Sequence, residues 1–200
     1  MKKFIITQFL PELMTEDGTI VRLCPIEKTK GRPLYCSRDG KFFSYCYRYD
    51  EHRWALRRLV AKTLATKDRR KCHTRYPFIT HIGTSSITCH YLIALVWIGP
   101  RPVIEGIRYE CDHINGNMFD WRADNLQWVT PKENYRRARY IRALRALIPN
   151  HGQVFNREDY LRWFAMPLDE FKAMLSHYYR EDPPSLFEGR NIAGDVHEGE

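Results

Sequence analysis

The 200-residue sequence lacks two patterns that would place it in common classes of small protein. None of its six cysteines, at positions 24, 36, 46, 72, 89 and 111, forms the Cys-x-x-Cys pair typical of a zinc knuckle. No apolar run approaches the ~20 residues that span a membrane, and the apolar residues 4–6 are too few for a secretory leader. We therefore expect a cytoplasmic protein with reduced, mostly buried thiols. A zinc site that uses Cys24, Cys36, Cys46 or His52 is the less favoured alternative.

Acidic residues are also in short supply, except at one end of the chain. Lys and Arg number 32 against 24 Asp and Glu, a formal charge of +8, which favours a polyanionic partner such as nucleic acid over ordinary solubility charge. From residue 181 onward six acidic residues face one arginine, a net −5, so residues 1–180 carry +13. The acidic tail is interpreted as a solubilising, disordered end, with competition for a basic groove as the alternative.

The first hundred residues are predicted to be an α+β lead-in region that binds DNA. Asp17-Gly18 and Arg38-Asp39-Gly40 mark turns between apolar pairs, and the second of these predicts a hairpin over residues 34–45. Apolar spacing over residues 50–67 predicts a helix, with Trp54, Leu56, Leu59, Val60 and Leu64 on one stripe. Residues 76–80 and 86–89 are predicted strands. Residues 90–97 are a predicted buried helix whose His90 is interpreted as structural rather than catalytic.

Residues 109–138 contain the pattern around which the chain is organised. A strand over 108–111 ends at Asp112-His113, a loop with Gly116 follows, and 126–129 form a second strand. Thr130, Pro131 and Glu133 predict a helix start, with Thr130 and Glu133 as a capping box. This start places Asn134 in the first helical turn.

The polar side chains of this stretch fit phosphodiester hydrolysis. A hard divalent cation takes oxygen ligands and leaves positions to water and phosphate, and Asp112 with Asn134 would be a sparse pair of that kind. His113 has the pKa range of a general base, and the Asn125 carbonyl could hold its ring. The alternative is that Asp112 and Asn134 are turn and helix-start residues with no metal.

The joint spacing, Asp-His-x-x-Gly-Asn followed by Asn125, Leu126 and Asn134, resembles the HNH endonucleases of the phage and intron homing type. This resemblance, specific over residues 109–137, implies a ββα-metal core. Asp112 and Asn134 would be the metal ligands, His113 the general base and Asn125 the residue that positions it. It also implies one Mg²⁺ or Mn²⁺ ion and cleavage of double-stranded DNA by a nick or a double-strand break. Residues 35–44 resemble, more weakly, the N-terminal module that accompanies such nucleases.

The sequence beyond the motif predicts further helices and a DNA-contacting surface. The first helix continues to residue 148, with Tyr140, Ile141, Leu144, Leu147 and Ile148 as its apolar face; a helical hairpin then covers residues 157–165 and 168–179. The predicted regions are 1–100, the nuclease core 101–148, the helical segment 149–180 and the tail 181–200. The candidate DNA-binding residues are Arg122, Lys132, Arg136, Arg139, Arg142 and Arg145.

Two other functions compete with a monomeric DNA endonuclease. One is a DNA-binding protein that keeps the HNH fold without catalysis, such as a regulator. The other is an RNA-directed nuclease or toxin domain. The sequence alone leaves all three open.

Overall fold

The computed structural model describes residues 9–26, 32–62, 76–79 and 87–180, with the backbone alone at 178–180. It contains both strands and helices, which confirms the α+β class. The chain divides into two compact units: Met1–His113 with Asn117–Pro131, and Ile114–Gly116 with Lys132–Glu200. The predicted strand at residues 4–6, the basic run 67–71, Cys72 and the acidic tail lie outside the described residues.

The first unit contains a five-stranded antiparallel sheet in sequential order. Its strands are β1 (Glu12–Met14), β2 (Ile20–Leu23), β3 (Leu34–Ser37), β4 (Phe42–Arg48) and β5 (Arg53–Leu59). Gly18, with φ +80°, turns the chain between β1 and β2, and Gly40, with φ +91°, turns it between β3 and β4. Both predicted hairpin turns are therefore confirmed.

The predicted helix over residues 50–67 is wrong, because residues 53–59 form strand β5. This strand pairs with β4 at seven positions, from Phe42↔Leu59 to Arg48↔Arg53. Trp54 stacks on Tyr45 across the pair, with ring centroids 5.4 Å apart. Spacings of two and three residues between apolar side chains fit a strand as well as a helix, and the cross-strand contacts with an aromatic partner strand favour the strand.

One face of the sheet packs against the middle of the chain. Leu34, Cys36 and Phe42 belong to a buried cluster with Leu92 and Leu126. The elements that supply the last two are α1 (Cys89–Ile93), which continues as a π-helical turn over Ala94–Ile98, and strand β9 (Leu126–Val129). The buried helix predicted over residues 90–97 is thus confirmed. The short pair β6 (Phe78–Ile79) and β7 (Ile87–Thr88) precedes it, as expected but shorter.

The turn between β3 and β4 is tied to the segment that leads into β9. Trp121 donates its indole N–H to the Gly40 carbonyl at 2.8 Å, and Ala123 donates its amide to the Arg38 carbonyl at 3.0 Å. A Cβ at Gly40 would lie 2.8 Å from the Trp121 ring, so only glycine allows this approach. The N-terminal hairpin therefore helps to place the residues just before β9.

The second unit is a helical body with a core of its own. It contains α2 (Pro131–Leu147), α3 (His151–Val154), α4 (Arg157–Ala165) and α5 (Leu168–Arg180), with α2 beginning in sequence at Pro131 of the first unit. The helices predicted to start at residues 131, 157 and 168 are confirmed. Asn156 and Asp159 form a reciprocal capping box at the start of α4. The core includes Tyr140, Ile141, Leu144, Tyr160, Trp163 and Phe171.

Candidate active site around His113

The predicted motif forms an antiparallel hairpin in the first unit. Strand β8 (Glu110–His113) pairs with β9, and His113 lies opposite Leu126 while Asp112 lies opposite Gln127. Asn125 ends a 3₁₀ turn, Ala123–Asn125, immediately before β9. The register therefore brings Asp112, His113 and Asn125 to the same end of the hairpin.

His113 is a buried imidazole with an unsatisfied nitrogen. Its residue is 6% exposed, and its Nε2 atom has no hydrogen-bond partner among the residues that the structure describes. The pKa of His113 is lowered from 6.5 to about 4, chiefly by burial and to a lesser extent by His90, while Asp120 acts in the opposite direction. The ring is therefore neutral near pH 7, which is the protonation state that a general base needs.

Two rings from earlier in the chain enclose His113. The Tyr76 ring lies parallel to the imidazole, with centroids 5.8 Å apart and planes 5° apart. The His90 ring meets the imidazole at a steep angle, 5.0 Å away, and contacts Tyr76 at 4.6 Å. We call Tyr76, His90 and His113 the ring cluster. Neither residue is among the site residues that the sequence predicts: Tyr76 lies in a predicted strand, and His90 is interpreted there as structural.

Asn125 is fixed by a contact from its amide nitrogen. This nitrogen donates to the Asp120 carbonyl at 2.7 Å, and the residue is 7% exposed. The bond directs the side-chain carbonyl oxygen away from Asp120. The predicted role of that oxygen, to hold the His113 ring, stays a prediction.

Asp112 has a cross-strand neighbour that the motif does not include. Gln127 donates its side-chain N–H to Asp112 Oδ2 at 2.9 Å. The contact follows from the register, since the two residues are directly paired and their side chains leave the same face. The sequence predicts both strands but not their register, so it does not predict this contact.

Asn134 lies in the first turn of α2, where it was expected. It belongs to the second unit, whereas Asp112, His113 and Asn125 belong to the first. Within the described ranges, no group of three or more His, Cys, Asp or Glu residues could hold a metal ion. Asp112 and Asn134 belong to different units, so their pairing on one ion stays a prediction.

The six candidate DNA-binding residues separate into two groups. Three have guanidinium groups engaged by the protein: Arg122 pairs with Asp120 at 2.8 Å, Arg136 with Glu133 at 2.8 Å, and Arg145 donates to the Gly116 carbonyl at 2.5 Å. The other three, Lys132, Arg139 and Arg142, are exposed residues of α2. The neighbouring Arg137 lies with its guanidinium carbon 4.9 Å from the Phe164 ring centroid.

Comparisons with known proteins leave the family of this chain open. Neither the protein-family models, nor the curated proteins, nor the solved structures gave a match. Among the described helices, none is both long and apolar enough to cross a membrane.

Proposed function

We propose that this chain is a metal-dependent endonuclease of the HNH type that hydrolyses phosphodiester bonds in double-stranded DNA. The observation that carries the proposal is His113 at the end of β8: a buried, neutral imidazole whose Nε2 has no partner among the described residues. A buried nitrogen without a partner is rare in a structural role and calls for a ligand or a reacting group.

In this mechanism His113 is the general base. Neutral imidazole Nε2 accepts a proton from the attacking water as the water oxygen bonds to phosphorus, and the bond from phosphorus to the leaving oxygen breaks with its electron pair on that oxygen. Asn125 positions the His113 ring. Tyr76 and His90 keep bulk water from the imidazole, which keeps its pKa low and the ring neutral.

Asp112 and Asn134 are the residues that would hold a single Mg²⁺ or Mn²⁺ ion. When bound, the ion supplies positive charge for the phosphate oxygens and the leaving oxygen. The hydrogen bond from Gln127 holds the Asp112 carboxylate in one orientation.

DNA binding would depend on the positive charge of residues 1–180, +13 in total, and on exposed cations of α2. Lys132, Arg139 and Arg142 are exposed and suit contacts with phosphates, which position a protein on DNA without reading its sequence. Arg122, Arg136 and Arg145 are already engaged within the protein, so we expect smaller contributions from them.

A plasmid cleavage assay with Mg²⁺, Mn²⁺ or EDTA tests the proposal. Wild-type protein should convert supercoiled plasmid to nicked or linear form with either metal, and EDTA should stop the reaction. His113→Ala should lower the rate by at least about 10²-fold while DNA binding in a gel shift persists. The same substitution at His177, an exposed residue of α5, is the matched control. Cleavage by His113→Ala at the wild-type rate would falsify the assignment.

The positive charge of residues 1–180 would serve equally well in one alternative, a DNA-binding protein without catalysis. Such a protein would shift DNA in a gel, leave plasmid intact with every metal, and bind equally well in EDTA. Competition between DNA and RNA at a stated salt concentration would identify an RNA-directed nuclease.

A further inference from the structure

Two unsatisfied nitrogens lie in the ring cluster. Among the described residues, His90 Nδ1, His113 Nε2 and one Arg137 guanidinium nitrogen are the only buried side-chain polar atoms without a hydrogen-bond partner. The first two belong to imidazoles in contact, with centroids 5.0 Å apart. A buried polar atom without a partner destabilises the fold, so two such atoms side by side require an explanation.

Packing explains the position of the His90 ring but not its nitrogen. His90 is the second residue of α1, and its carbonyl accepts a weak bond from the Cys111 thiol at 3.7 Å, which ties it to β8. Its ring packs against both Tyr76 and His113. A phenyl ring could make such ring contacts and would leave no unsatisfied atom. The choice of imidazole therefore indicates a use for the nitrogen.

The chemistry of the proposed reaction provides that use. A neutral imidazole carries one N–H donor and one lone pair. If His113 uses the lone pair of Nε2 as the base, the same nitrogen cannot donate a hydrogen bond to the reacting oxygens. Such a bond must come from another group. His90 Nδ1 belongs to the adjacent ring and has no other partner among the described residues.

We propose that His90 is a second catalytic histidine, whose Nδ1–H donates a hydrogen bond to an oxygen of the scissile phosphate or of the attacking water while His113 Nε2 accepts the proton. The inference rests on the proposed nuclease function and adds a residue to it. His90 keeps its proton throughout, so its contribution is the placement and stabilisation of negative charge rather than proton transfer.

Two substitutions separate the hydrogen bond from the packing. His90→Asn keeps an N–H donor near the position of Nδ1 but loses the ring, whereas His90→Phe keeps a ring and loses the donor. If His90 donates to a reacting oxygen, His90→Asn should cut plasmid DNA within about tenfold of wild type, and His90→Phe should lose about 10²–10³-fold in kcat with little change in KM. The opposite order, an active Phe variant and an inactive Asn variant, would show that the ring only packs and would overturn the proposal.

Three controls make each outcome decisive. His177→Phe, at an exposed position of α5 outside the ring cluster, makes the same exchange of histidine for phenylalanine, and its cleavage rate should equal that of wild type. Circular dichroism melting and a gel shift in EDTA check that each variant folds and binds DNA. Where His90→Phe does not fold, His90→Leu replaces it as the variant without a donor.

The two proposals fail in different ways. If wild type cuts DNA, His113→Ala does not, and a folded donorless His90 variant cuts at the wild-type rate, the His90 proposal is overturned and the nuclease function stands. If wild type cuts neither DNA nor RNA with Mg²⁺ or Mn²⁺, both proposals are overturned.

A second experiment identifies the oxygen that accepts the hydrogen bond from His90, which belongs either to the phosphate or to the attacking water. It compares substrates that carry a single sulfur at one or the other non-bridging position of the scissile phosphate. If one sulfur substitution slows cleavage by wild type but not by His90→Phe, the hydrogen bond is to the phosphate. If it slows cleavage by both proteins equally, the hydrogen bond is to the attacking water.

Discussion

Gln127 lies opposite Asp112 on the neighbouring strand and holds one carboxylate oxygen at 2.9 Å. Loss of a group that orients a metal ligand typically costs 10–100-fold in metal affinity. We therefore expect Gln127→Ala to raise the Mg²⁺ concentration for half-maximal plasmid cleavage by about that factor, with a smaller effect at saturating Mg²⁺. A Mg²⁺ titration of the cleavage rate measures this. Gln153→Ala, at an exposed position of α3, is the matched control, and an unchanged titration curve for Gln127→Ala would remove Gln127 from the site.

The candidate site was predictable from the sequence only where its residues are close together in the chain. Asp112 and His113 at the end of β8, Asn125 before β9 and Asn134 in the first turn of α2 all have the placement that the motif predicts. Tyr76 and His90 come from separate elements, and their contacts with His113 depend on how β6 and α1 pack. The sequence carries no periodicity that encodes such a contact.

At the scale of single elements, turn and cap residues were better guides to the structure than apolar spacing. Turn and cap residues marked ends correctly, as at Gly40, Pro131 and Asn156. Apolar spacing alone failed at β5, because a short run with mixed spacings fits both a helix and a strand. Residues 53–59 form a strand because they pair with β4 at seven positions. The sequence does not show which strand will be the neighbour.

Gly116 offers a test of the loop between β8 and β9. Its φ is +68°, and a Cβ there would lie 2.5 Å from Cγ2 of Ile141, a stiff, buried side chain. Gly116→Ala should therefore combine a conformational cost of about 1–2 kcal/mol with an overpacking cost of about 1–3 kcal/mol. Gly18→Ala is the matched control, since Gly18 has φ +80° but no atom within 4 Å of the place that an alanine methyl group would take. Urea unfolding should show a clearly larger loss for Gly116→Ala, and equal losses would mean that Ile141 relaxes freely.

At the scale of the whole molecule, the compact units do not coincide with stretches of sequence. Residues Ile114–Gly116 belong to the helical unit, although the chain on both sides of them belongs to the first. Ile114 is 1% exposed and packs in the cluster that contains Tyr140 and Phe171. A division of this kind depends on contacts between distant residues, so composition and linker signals could not predict it.

The stability of the helical unit should depend on pH through His151. This residue is 3% exposed, its Nδ1 lies 2.7 Å from the Tyr160 hydroxyl, and burial, followed by Arg145, lowers its pKa from 6.5 to about 4. Because the folded-state pKa lies below that of the unfolded chain, the unfolded chain takes up a proton first as the pH falls. The contribution to stability is complete above pH 6.5 and is lost as the pH falls towards 4, by about 1–3 kcal/mol.

His151→Asn should remove this dependence, because an amide does not titrate and can keep a hydrogen bond near the Nδ1 position. The measurement is the free energy of urea unfolding at several pH values between 7 and 4, followed by far-ultraviolet circular dichroism, to which the helices α2 to α5 of this unit contribute strongly. We expect the variant to be less stable than wild type at pH 7 and to lose less stability on acidification. His177→Asn, at an exposed position of the same unit, controls for the loss of a histidine as such. If the free energy of unfolding falls with pH in the same way for wild type and for His151→Asn, folding does not change the pKa of His151.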